Sequence, residues 1–107
     1  MRWYDRLIAA HRDVTDKVSH AVRLKSDRYF VWQEDGRNDL AAENAHAEGA
    51  VTGSTDLFTK KEFDPWVEAL GEALSSHGIA WGVSSQYEPE TGFWHYTWDW
   101  EVADGYD

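Results

Sequence analysis

Cysteine is absent from all 107 residues, which excludes disulfides and thiolate chemistry and fits synthesis in a reducing cytoplasm. No apolar run approaches the length a transmembrane helix needs, so no membrane partner is expected. The opening residues Met1-Arg2-Trp3-Tyr4-Asp5-Arg6 lack an apolar stretch after their charges, so no signal peptide is expected either. Basic residues are scarce. Ten Lys and Arg face twenty Asp and Glu, for a net charge of −10. Tight binding to a phosphate backbone requires cations that displace counterions, so this balance disfavours it. It remains compatible with a surface that DNA passes without adhering.

Chemistry-bearing motifs are missing as well. The histidines, His11, His20, His46, His77 and His95, show no metal-ligand spacing, and no cysteine completes a zinc site. His46 with Glu43 and Glu48 reads as scattered charge in a small-residue stretch. His95, between Trp94 and Tyr96, reads as an exposed imidazole, and His77 as a favourable group at a helix C-terminus. Ser75-Ser76 and Ser84-Ser85 lack the setting of a nucleophile elbow. Gly49 and Gly53 are not followed by a lysine at phosphate-loop spacing. Carboxylate pairs such as Asp99 and Glu101, or Glu88 and Glu90, arise by chance in so acidic a chain. No cofactor and no enzymatic activity are expected.

What the chain does have is aromatic residues, 15% of it, seven of them tryptophans. The length suits one domain with a two-layer core. In Phe93–Val102, Trp94, Tyr96, Trp98 and Trp100 recur at every second position, with Val102 continuing the set and His95, Thr97, Asp99 and Glu101 between them. A period of two is a strand with one apolar face. Two readings of that face stand open. It is either the core face of a sheet, under Trp66, Leu70 and Leu74 of a helix, or an exposed stacking platform for a sugar or a base. One three-turn helix cannot cover four such residues. The first helix, with Trp3 and Tyr4, must contribute, or a neighbouring subunit must.

The rest of the chain divides readily. Arg2–Arg12 has apolar spacings of three and four, which predict an amphipathic helix. Val18–Leu24 alternates as a strand. Tyr29–Trp32 reads as a buried strand, followed at Asp35-Gly36 by the polar loop of a hairpin. Residues 36–44 read as extended loop and about 45–60 as a long strand of small residues. Asp64-Pro65 opens a helix that closes at Gly78. A strand from Ile79 and the turn Glu88–Gly92 lead into the aromatic strand, with 103–107 as an acidic tail. The order α-β-β-β-α-β-β predicts an α+β domain: a mostly antiparallel sheet of four or five strands with two helices on one face.

At this level the sequence resembles a known family. Asp56-Leu57-Phe58-Thr59-Lys60, then Phe63-Asp64-Pro65 opening a helix, are similar to a junction in the small tail-terminator and tail-completion proteins of long-tailed bacteriophages. Ser76-His77-Gly78-Ile79 at the helix end, the Tyr87-Glu88 turn and the closing aromatic strand follow in the same order. Asp35-Gly36-Arg37-Asn38 with Asn44 resembles that family's hairpin. The similarity spans roughly residues 18–102. The small-residue strand near 45–55 departs from the pattern.

The resemblance implies a subunit of a ring, usually a hexamer, at the head-proximal end of the tail within the virion, assembled in the host cytoplasm. Such a ring ends tail-tube growth and joins the tail to the head connector. Its partners are copies of itself, the tail-tube protein and the connector protein, and DNA passes through its lumen without specific binding. On that reading Asp35, Arg37, Asn38, Asp39, Asn44, Trp3 and Tyr4 are candidates for an interface. His95, Asp99 and Glu101 are candidates to face a lumen or a neighbour. The alternative is a monomeric binding module that offers its aromatic face to a sugar or peptide.

Overall fold

The computed structural model describes residues 2–37 and 49–104. Its elements are α1 (Trp3–Arg12), β1 (Val18–His20), β2 (Arg28–Arg37), β3 (Gly49–Thr59), α2 (Trp66–Ser76), β4 (Ala80–Glu88) and β5 (Phe93–Asp104). Five strands form one sheet in the order β1-β2-β3-β5-β4. Only β1 and β2 are parallel; every other neighbour is antiparallel. This is the α+β architecture and element order that the sequence predicts.

The period of two in β5 places its aromatic set on the helix-covered face. Register aligns Trp98 with Thr55 and Trp100 with Gly53 of β3, so large side chains lie beside small ones. Gly53 is required there. A Cβ at that position would lie 2.4 Å from both the Gln33 carbonyl and the Trp100 indole. Leu7 and Ala10 of α1 and Leu70, Ala73 and Leu74 of α2 close over Phe30, Trp32, Leu57, Trp98 and Trp100. Both helices therefore share one face. Trp98 is fully buried and Trp100 is 3% exposed. Burial of this kind contributes roughly 1.5–3 kcal/mol for each large apolar side chain.

One polar thread runs through this dry layer. His11, fully buried, donates from Nδ1 to the Leu7 carbonyl at 2.7 Å, which leaves Nε2 to accept the Thr55 hydroxyl at 2.9 Å. Thr55 Oγ1 in turn accepts the Trp100 indole N–H at 2.9 Å. Burial holds the imidazole neutral and lowers its pKa to about 4, although the backbone bond to Leu7 acts the other way.

The α2 junction has its own polar fastening. The carboxylate of Asp64 accepts the Trp66 amide at 2.9 Å, but the N-cap position is Pro65 and the helix begins at Trp66, one residue later than the sequence predicts. The same carboxylate receives Arg28 Nε at 2.8 Å and the Thr59 hydroxyl at 2.8 Å. Burial alone would raise the Asp64 pKa, but these bonds, that of Arg28 foremost, outweigh it and hold the group below its ordinary value. The Arg28 guanidinium also lies over the Trp66 ring at 3.7 Å. Gly78 takes a positive φ of 74° after α2, as expected.

Three local expectations fail, each for a tertiary reason. β1 stops at His20 rather than running to Leu24, because Ala21 adopts φ 66° and turns the chain out of the sheet. Asp35-Gly36 opens no turn. A bulge between Glu34 and Gly36 lets β2 continue to Arg37, paired with Val51. Ala103 and Asp104 belong to β5 rather than to a tail, paired with Ala50 and Gly49.

The connection from β1 to β2, residues 21–27, is shorter than the dozen or so residues usual between parallel strands. It folds over the face of the sheet opposite the helices. There Arg23 lies 4.8 Å from the Phe58 ring centre, and Tyr29, Val31 and Phe58 are buried as a second, smaller cluster.

Candidate functional site

β5 carries two sets of side chains, and the structure places each. Of the core set, Trp98 and Trp100 are buried, while Trp94, Tyr96 and Trp66 are partly buried. Trp66 stacks on Phe30 at 5.5 Å, and Trp94 leans on Tyr87 of β4 at 4.6 Å. A stacking platform needs its indoles accessible. Two of the three tryptophans that would form one are inside the core.

The alternate set, His95, Thr97, Asp99 and Glu101, lies on the face away from the helices. His95 is not the exposed imidazole the sequence implies. It stacks on Phe58 at 4.4 Å, with Nε2 at 2.7 Å from Asp56 and Nδ1 at 3.5 Å from Glu88. Thr97 donates to the same Asp56 carboxylate at 2.8 Å. Two carboxylates thus flank one ring, and Asp56 is directed by two donors. Among the described residues no group of three His, Asp or Glu is arranged to hold a metal ion.

Asp99 and Glu101 meet one of the residues read as an interface candidate. With Asp35, Thr52 and Ala80 they line an open recess of about 520 Å³. Asp35 is drawn there by the bulge in β2 and accepts the Thr52 hydroxyl at 2.8 Å. Three carboxylates around one recess repel phosphate and suit a cationic side chain. Arg37 is ion-paired with Asp104 at 3.0 Å and so joins the ends of β2 and β5. Trp3 packs between Trp32 and Trp100 at 6.4 Å from each, and Tyr4 stays exposed beside it. Asn38, Asp39 and Asn44 lie outside the described residues, as do Glu43, His46 and Glu48.

The exposed apolar residues are elsewhere than expected. Trp81 (38% exposed), Val83 (45%) and Tyr87 stand on β4, an edge strand bonded within the sheet only to β5. Trp81 crosses α2 where Gly71 leaves room, since a Cβ at Gly71 would fall 2.8 Å from the indole. Its N–H donates to Ser75 Oγ at 2.9 Å. Between α2 and β4 runs a groove of about 320 Å³ lined by Val67, Glu68, Gly71, Glu72, Trp81 and Val83. Phe63, at the β3–α2 junction, is 85% exposed and held at φ 54°. The alternation of large and small residues after Ile79 was the available signal for β4, but it does not reveal that the strand is an edge.

The class defined by this architecture is an α+β domain with helices on one face of a mostly antiparallel sheet and, among the described residues, an uncovered edge strand beside a helix. No protein-family model matches the chain, and no curated protein sequence does. A solved structure does: a chain of the "Virion of native gene transfer agent (GTA) particle" superimposes with a TM-score of 0.59 over 95% of this chain and 90% of that one, at 12% identity. At that identity the two share a fold. No helix among the described residues is long and apolar enough to cross a membrane.

Proposed function

We propose that this chain is a structural virion protein that forms a ring, hexameric in the form implied by its family resemblance, at the head-proximal end of a phage tail. The ring ends tail-tube growth and joins the tail to the head connector, and its lumen conducts DNA. The observation that carries this reading is the near full-length fold match to a chain of a gene transfer agent virion, coupled with the ordered motifs that resemble tail terminators.

Two physical features support it. The molecule leaves apolar side chains bare on a sheet edge, which suits a protein completed by neighbours rather than one that works alone. Its charge of −10 per copy, repeated around a ring, gives a channel wall that repels phosphate and lets DNA slide. The carboxylates of Asp35, Asp99 and Glu101 are the candidates for that wall.

Native mass spectrometry and electron microscopy of the purified protein, alone and with tail-tube and connector rings, test the proposal. Closed rings, free or seated on a partner, are the expected outcome. A protein that stays monomeric at high concentration and binds neither partner would sink it. The monomeric sugar- or peptide-binding alternative would then be tested at the Tyr87–Trp94 pair.

A further inference from the structure

The charges of this protein are segregated along the sequence. All ten Lys and Arg lie at or before Lys61, where ten Asp and Glu balance them; residues 62–107 hold the other ten acids and no Lys or Arg. The net charge of −10 therefore belongs to residues 62–107, and seven of their ten acids lie in α2, β4, β5 and the segments that join them. In the sheet order β1-β2-β3-β5-β4 the two outer strands fall on opposite sides of this division, although Arg6, Arg28, Arg37 and Lys60 reach across it to Ala103, Asp64, Asp104 and Thr91. One end of the sheet is acidic. At the other, residues 17–28 carry Lys17, Arg23 and Lys25 against Asp27, and Arg28 is ion-paired with Asp64.

Each end also exposes apolar side chains. On the acidic end these are Trp81 and Val83, beside Glu68 and Glu72 in the α2–β4 groove. On the basic end they are Val22 (63% exposed) and Leu24 (38%), on the crossover beside edge strand β1. β4 carries none of the usual guards of an edge strand: no Lys, no Arg, no Pro and no bulge in its nine residues. Pairing β4 with β4 of a second copy would set Glu68 and Glu72 against themselves. Pairing it with the β1 end sets acid against base and apolar against apolar.

We infer that the α2–β4 groove of one copy docks on the β1 end and crossover of the next, so that each contact is head-to-tail. A heterologous contact of this kind closes a ring or extends without limit; it does not stop at a dimer. The inference rests on the ring reading above and assigns the two surfaces that meet in it.

Charge reversal tests it, because Glu68, Glu72, Lys17 and Lys25 are exposed and outside the core. The variant Glu68→Lys/Glu72→Lys should shift the ring toward monomer, by about tenfold in half-dissociation concentration per reversed charge if each is worth ~1.4 kcal/mol at the contact. Adding Lys17→Glu/Lys25→Glu in the same chain should restore the ring. Val83→Asp should also dissociate it, with an unchanged circular dichroism spectrum showing the monomer folded. Since the chain has no cysteine, Val83→Cys supplies a further test. Covalent dimers of Val83→Cys under mild oxidation would mean that β4 meets β4, and would overturn the inference. So would rings of normal mass in the charge-reversed variant; in both cases the ring reading survives. A wild-type protein without rings under any condition removes both.

Discussion

The two faces of this sheet share every strand and differ in almost everything else. The helix-covered face is dry at its centre, and its buried histidine, His11, is neutral and served by a carbonyl, a hydroxyl and, through that hydroxyl, an indole. The opposite face holds its own histidine, His95, against an aromatic ring too, but between two carboxylates and next to solvent. Alternation along a strand is enough to produce both. The lesson concerns where stability resides: β5 stabilises the fold through Trp98 and Trp100, while its other side is free to carry charge.

The sharpest way to break that contrast is to truncate one residue from each face. Trp100→Ala removes a buried indole and leaves Thr55 short of a donor, and should cost about 3–5 kcal/mol in urea denaturation. Asp56→Ala, on the other face, should cost roughly 1 kcal/mol, because water can replace the bonds it accepts from His95 and Thr97. Equal losses would mean that the two faces are not energetically distinct.

Acid provides the next largest effect. The folded pKa of His11 lies near 4, below its unfolded value near 6.5, so its contribution is complete above pH 6.5. As pH falls from 6.5 to 4 the unfolded chain takes up a proton that the folded one refuses. The loss approaches 3 kcal/mol near pH 4. Asp64, whose folded pKa is also lowered, adds further loss below its ordinary value of 3.8. Denaturation midpoints measured from pH 7.5 to 4 should therefore fall steadily. A flat profile across that interval would show that His11 is not held in a neutral, buried setting.

The smallest effect runs the other way. Phe63 holds a left-handed backbone conformation that bulky residues rarely adopt, and its ring lies in water. Phe63→Gly should relieve that strain and raise stability by about 1 kcal/mol in thermal melts. An unchanged or lowered melting temperature would assign the ring a packing role in the fold.

Much of this architecture is legible in the chain because it follows local rules. The two-residue period of β5 and the Asp64-Pro65 opening of α2 depend only on neighbours in sequence. The features that were illegible depend on distant partners. Asp35-Gly36 has the composition of a turn, yet pairing with Thr52 and Val51 carries β2 past it. Ala21 gives no sign that it will turn the chain over the sheet. His95 finds Asp56 39 residues away, and Arg28 finds Asp64 36 residues away, so neither pair has a sequence signature. Among the candidate interface residues, Trp3 packs against Trp32 and Trp100, so the first helix does help to cover the aromatic face. The bare edge at β4 became visible only with the strand order.

That order has a consequence for how the protein folds. β4 and β5 form a hairpin across a short turn, and β2 and β3 are likewise neighbours in sequence. The β3–β5 ladder joins these two halves and encloses everything between Thr59 and Phe93. Closing so large a loop is entropically costly, and contacts within either half cannot offset it. Until Gly53 meets Trp100, neither half has the other side of its aromatic core. The middle of the sheet is thus where the two halves of the chain are joined.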